Sequence, residues 1–227
     1  MKRGFPILAM VTGLLLSLAL YEALIAAPTE KTMGDVQRIF YYHVPSAWTA
    51  FLLFLINFVA SVVYLIRRDS KSDIVALVSA EVGVVFCTVV LITGPIWARP
   101  VWGIWWTWDL RLTLTLVLWL IYVSYLILRR FSTSSQTPLL AAVLAIFGAL
   151  DVPLVYFSIW FFRTQHPSPV IGGGGSLDPR MARVLLLNWV AFLSLAWLVC
   201  STRYRLEVAQ REVDEAEAVE SLLEGSR

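Results

Sequence analysis

The chain contains two histidines, His43 and His166. Each falls where an apolar run begins or ends, and each is followed closely by proline ("HVPS", "HPSP"). Two neutral imidazoles can hold one iron ion from either side. They cannot close a zinc site without two further ligands, and no cysteine lies near them. A surface histidine often has no role, so the pair needs a second observation. That observation is "ARPVWGIWWTWDLRLT", residues 98–113, which holds four of the ten tryptophans, with Trp97 just before it. Trp102, Trp105, Trp106 and Asp109 stand at i, i+3, i+4 and i+7, which on a helix is one face. The spacing predicts a helix after Pro100 lying along a membrane surface, weakened by Gly103.

Tryptophans also gather at membrane interfaces simply because indole settles at headgroup depth. Trp48, Trp119, Trp160, Trp189 and Trp197 fit that explanation, or plain packing. Four indoles within seven residues fit it poorly. Flat rings stack on planar ligands with centroids about 4.5–7 Å apart. A planar ligand carrying a metal satisfies both features, and haem is the economical choice. Its propionates need cations, for which Arg38, Arg99, Arg111 and Arg163 are the local supply. The Asp109–Arg111 pair could instead cap the following helix.

These residues must be positioned by a membrane scaffold. The 227-residue chain is 59% hydrophobic and 15% charged, more apolar than a soluble domain of this size can hide. Its apolar residues form six blocks, at 5–27, 47–66, 74–96, 112–128, 139–162 and 182–202. Each is about the 20 residues needed to cross a hydrocarbon core, and in lipid these must be helices. The first is longer than the apolar core of a signal peptide, roughly 7–15 residues. Cleavage at "IAAPTE" would leave an odd number of spans.

Basic residues cluster tightly at one set of helix ends: Lys2, Arg3, Arg67, Arg68, Lys71, Arg129, Arg130, Arg203 and Arg205. Lys31, Arg38, Arg99, Arg111, Arg163, Arg180 and Arg183 flank the other ends more loosely. The positive-inside rule then places both termini in the cytoplasm. The three longer loops, 28–48, the tryptophan segment and 163–181, open on the outer face. Four consecutive glycines in the third mark a mobile turn.

Cys87 and Cys200 lie inside spans, far apart, and read as core-filling thiols. Glu22, Glu81 and Asp151 also fall within spans, where ionisable groups are costly and often functional. Asp151 stands two residues before Pro153 and could bond to backbone freed by a kink. The tail, "RYRLEVAQREVDEAEAVESLLEGSR", is acidic and rich in helix formers. It reads as a solvated extension of the last span or as a docking handle for a cytosolic partner.

"WGIWWTWDLRLT" resembles the tryptophan-rich WWD motif of the haem-handling proteins of cytochrome c maturation. "RIFYYHVPSAW" and "RTQHPSP" resemble the two histidine-bearing loops of the CcmC family, and six spans fit that family. The resemblance covers about 40–202. It implies haem b (iron protoporphyrin IX) bound at the periplasmic face of the inner membrane, with His43 and His166 as axial metal ligands. Trp102, Trp105, Trp106, Trp108 and Asp109 would be the platform, and Arg38 and Arg111 the arginines near the haem. The implied partners are the haem chaperone CcmE, the CcmA/CcmB ABC-type ATPase pair and the small membrane protein CcmD.

The expectation is an all-α integral membrane protein. Residues 1–202 form a six-helix haem-handling domain with extracytoplasmic haem-binding loops, and 203–227 a short cytoplasmic helical tail. It would bind haem and deliver it to the chaperone, not act as an enzyme. Two other classes compete with this one: a small-molecule or ion-coupled transporter using the intramembrane carboxylates, and a structural subunit that anchors an ATPase.

Overall fold

A computed structural model describes residues 4–162, 164–167 and 177–225. Lys2, Arg3, Arg163 and the glycine run at 172–175 lie outside these residues. Among the described residues, seven α-helices build six segments long and apolar enough to cross a membrane, as the blocks of apolar residues require. The chain is a multi-pass α-helical membrane protein.

Helix α1 (Gly4–Tyr21) ends in a wide turn, Glu22–Ala26. A tight turn, Asp35–Ile39, leads directly into α2 (Phe40–Arg67). Next come α3 (Ser70–Trp102), α4 (Leu110–Phe131), α5 (Thr137–Ala149), α6 (Asp151–Phe161) and α7 (Pro179–Gly225). Helix α3 runs through Pro95 and Pro100 to Trp102, past the expected end at 96. Within a packed bundle, neighbouring helices and local adjustment tolerate proline. Its 33 residues span about 50 Å, so α3 overshoots a hydrocarbon core of about 30 Å.

The fifth span is broken rather than continuous. Pro153 has no N–H for the carbonyl of Ala149, the last residue of α5, so the helix stops and restarts as α6. Asp151 opens α6 and is buried. The bond expected from it to freed backbone is not made, and its Oδ2 has no partner among the described residues.

Helices α2 and α3 form the central antiparallel pair. Phe54 of α2 stacks on Tyr122 of α4 with centroids 3.8 Å apart. Gly83 of α3 faces that stack, where a Cβ would stand 2.7 Å from Phe54 Cε1. Any larger residue would overpack this crossing. Asn57 donates to the Ala76 carbonyl at 2.7 Å, and Trp119 Nε1 donates to Thr88 Oγ1 at 2.8 Å, tying α4 to α3. On the other side, Thr12 and Ser194 hydroxyls join α1 to α7 at 2.7 Å.

Charges inside the bundle are paired at one end of it. Asp73, buried, accepts from Arg129 at 2.6 and 2.8 Å and from Arg211 at 2.7 Å. Glu81 accepts both forks of Arg203 at 2.8 Å. Pairing of this kind, which Asp151 Oδ2 does not receive among the described residues, offsets the cost of burying a carboxylate. The acidic C-terminal segment continues α7 as helix without a break to Gly225, and Arg211 fastens its beginning to α3.

Candidate functional site

The inter-helix space opens at the end opposite the Asp73 network into a cavity of about 610 Å³, a size that suits small-molecule ligands and cofactors. Helices α2, α3, α4 and α6 form its walls, and residues 30–37, 165–167, Leu177 and Met181 surround its mouth. Its floor is apolar, formed by Ala50, Phe51, Cys87 and Val155. Phe40 and Phe51, both lining it, lie about 16 Å apart along α2. The cavity therefore reaches well down the bundle.

Both histidines line this one cavity. His43 does not sit in the outer loop expected at 28–48. It occupies the first turns of α2, because the turn at Asp35–Ile39 feeds straight into the helix and Pro45 is accommodated within it. The ring is buried. Its Nδ1 lies 2.8 Å from Thr93 Oγ1, and Trp97 meets it edge-on at 5.8 Å between centroids. Gly94 is part of the same cradle, with His43 Cε1 standing 3.4 Å from where a Cβ would be.

His166 sits on the loop before α7. Its Nδ1 is 2.9 Å from the Pro167 carbonyl. A carbonyl only accepts, so Nδ1 carries the proton and donates, leaving the Nε2 lone pair free. Burial, and then the Arg111 charge, push the pKa of His166 down to about 4. The ring is therefore neutral at pH 7, the form in which imidazole binds a metal.

The tryptophan segment is not the helix predicted from its spacing. Gly103 adopts φ +79° and its N–H bonds to the Arg99 carbonyl, which ends α3 at Trp102. Residues 103–109 are irregular, and α4 begins only after Asp109. The four indoles consequently divide. Trp102 and Trp106 line the cavity, whereas Trp105 and Trp108 are 59% and 76% exposed on the outer surface. Trp106 and Trp108 meet edge to face at 5.8 Å. Asp109 caps α4: its Oδ1 accepts from the Leu112 N–H at 3.0 Å and its Oδ2 from Thr107. It does not line the cavity.

The arginines divide in the same way. Arg38 donates to the Ala23 carbonyl at 2.8 Å and to Asp35 at 3.0 Å, clamping the mouth segment to the end of α1 rather than lining the cavity. Arg99 bonds to the Gly103 carbonyl. Arg111, two residues past the Asp109 cap, lines the cavity, and its buried Nη1 has no partner among the described residues. A buried, unpaired guanidinium N–H is costly and calls for an anionic ligand.

Gly94 and Trp97 also line the cavity around His43, with Thr93 behind the ring, and so does Gln37, whose buried Oε1 is likewise unpartnered among the described residues. Trp97 was visible as part of the tryptophan-rich stretch, but its contact with His43 depends on how α2 crosses α3. No group of three or more His, Cys, Asp or Glu suited to a metal occurs among the described residues. A metal held here by His43 and His166 would take its remaining ligands from outside the protein's His, Cys, Asp and Glu side chains among the described residues.

A family model described as heme exporter protein C (CcmC) matches residues 1–219. A protein named heme exporter protein C from Bradyrhizobium diazoefficiens is 35% identical over 214 residues, covering 93% of this chain and 81% of that one. Another of that name, from Escherichia coli strain K12, is 31% identical over 180 residues, covering 79% and 73%. A putative cytochrome c biosynthesis ccmC-like mitochondrial protein from Marchantia polymorpha is 31% identical over 182 residues, covering 80% and 78%.

Proposed function

The chain belongs to the heme exporter protein C family, and from that premise we propose that it binds haem b at the periplasmic face of the inner membrane and delivers it to the chaperone CcmE. Its broader role is in haem export or cytochrome c maturation. The observation that carries the proposal is one cavity lined by both histidines, an arginine with a free buried N–H, and the indoles of Trp97, Trp102 and Trp106.

The residues fit the cargo. Nε2 of His43 and of His166 would take the two axial positions of the iron. The free N–H of Arg111 would donate to a propionate, and the indoles and the apolar floor would flank the ring and keep water out. This chain supplies binding and presentation, and bond formation belongs to the partner. Asp109 and Arg38 contribute as positioning groups, since Asp109 sets the first turn of α4 on which Arg111 stands and Arg38 holds the mouth. Trp105 and Trp108 are exposed beside the cavity and offer a surface for the chaperone.

The two histidines differ in mounting. His43 is built into a packed helix, His166 into a loop, and loops yield more readily. Displacement of the His166 loop would open one axial position first and begin release, driven in the complex by the CcmA/CcmB ATPase pair with CcmD alongside. Basic residues at the opposite end of the bundle, Arg67, Arg68, Lys71, Arg129 and Arg130, support cytoplasmic termini.

The transporter reading loses ground because Glu81, one of its carboxylates, is neutralised by Arg203. Purified in detergent from haem-replete cells, the protein is expected to show the sharp Soret band of bis-imidazole haem. A colourless protein that takes up no added haem would overturn the proposal. That outcome is what a transporter or an ATPase anchor predicts.

A further inference from the structure

We propose that Thr93 is a positioning residue that fixes the tautomer of His43, so that Nε2 presents its lone pair to the metal. The inference rests on the haem-binding reading and deepens it. Thr93 Oγ1 has one proton and two close neighbours, the Val89 carbonyl at 2.7 Å and His43 Nδ1 at 2.8 Å. Two oxygens 2.7 Å apart with no proton between them repel each other, and a carbonyl has none to give. The hydroxyl proton therefore lies on the Val89 side. The Thr93 oxygen can then only accept from His43, so Nδ1 carries the imidazole proton and Nε2 is bare.

The rest of the cradle holds the ring in that pose. Gly94 packs beside the ring at ordinary contact distance, and Trp97 blocks rotation from one side. The result matches His166, whose Nδ1 is committed to the Pro167 carbonyl. Both rings thus offer Nε2, one held by backbone and one by a side chain that can be changed. A hydrogen bond from the distal N–H also makes a ligating imidazole more basic, and losing such a partner costs roughly 10–100-fold in metal affinity.

The test uses the full-length protein with 15N-labelled histidine, in detergent. In the haem-free wild type, His43 is expected to show a protonated Nδ1 and an unprotonated Nε2. Thr93→Val keeps the shape of the side chain and removes the acceptor. It should produce a mixture of tautomers and weaken haem binding roughly 10–100-fold. Thr93→Ser restores the oxygen and should return both readouts close to wild type. A wild-type His43 protonated on Nε2 would overturn the assignment, and so would Thr93→Val with wild-type tautomer and affinity. Equal losses in the Val and Ser variants would show that the methyl group matters and not the hydroxyl, which also overturns it. Should Thr93→Val fail to fold, Thr93→Ala and the wild-type nitrogen spectrum still decide. His43→Ala separates the two levels. If it binds haem as wild type does, the ligand assignment of His43 fails. If it loses haem while Thr93→Val is unchanged, only the role of Thr93 fails.

Discussion

Replacing His43 or His166 with Ala is expected to lower haem content and shift the visible spectrum of the purified protein. Each substitution leaves one axial position without its nitrogen. The two losses should differ in character. His43 is buried between Thr93, Gly94 and Trp97, so its removal leaves a ring-shaped void facing the iron. Added imidazole should enter that void and recover the wild-type spectrum. His166 stands on a loop beside the mouth, so its removal opens the site to water and exogenous imidazole should bind there more weakly. Spectra with and without imidazole check both expectations. If both variants keep wild-type haem content and spectrum, these histidines are not the ligands.

Arg111→Leu is expected to have effects of opposite sign on the empty and loaded protein. Without ligand, Arg111 buries a guanidinium N–H that has no partner among the described residues. A shorter, apolar side chain removes that buried, unpaired N–H, so the thermal midpoint of the haem-free protein should hold or rise in spite of the lost volume. With ligand, a hydrogen bond between charged groups is lost, worth about 1.5–3 kcal/mol, which corresponds to roughly 10–100-fold weaker haem binding. Arg111→Lys keeps the charge but not the planar fork, and should fall between the two. Comparable substitutions at Arg38 and Arg99 should act differently, because their donors already serve backbone carbonyls. Unchanged haem affinity in Arg111→Leu would remove the arginine from the site.

The sequence made the spans and the two imidazoles plain, for simple reasons. Long apolar blocks admit one structure in lipid, and a residue type that occurs twice is easy to follow. Which of several arginines faces the cavity could not be read, because Arg38, Arg99 and Arg111 are alike in type and differ only in what lies within reach. The tryptophan segment misled because i, i+3, i+4 periodicity says nothing about where a helix stops. Gly103 at positive φ and Asp109 as a cap both break the run, and together they send Trp102 and Trp106 inward and Trp105 and Trp108 outward. Asp73 was hidden in the charged loop "RRDSKSD", and only the packing of α3, α4 and α7 shows it as the buried anchor of two arginines. Thr93 carried no signal at all, since a threonine in a greasy helix is ordinary until a histidine from another helix lands on it.

A high-resolution map of the haem-loaded protein, alone or with its ATPase partners, bears most directly on the central claim. The account predicts one haem inside the cavity, with its iron between Nε2 of His43 and Nε2 of His166 and a propionate on Arg111. A haem lodged outside the cavity, or an iron coordinated by neither imidazole, would contradict it.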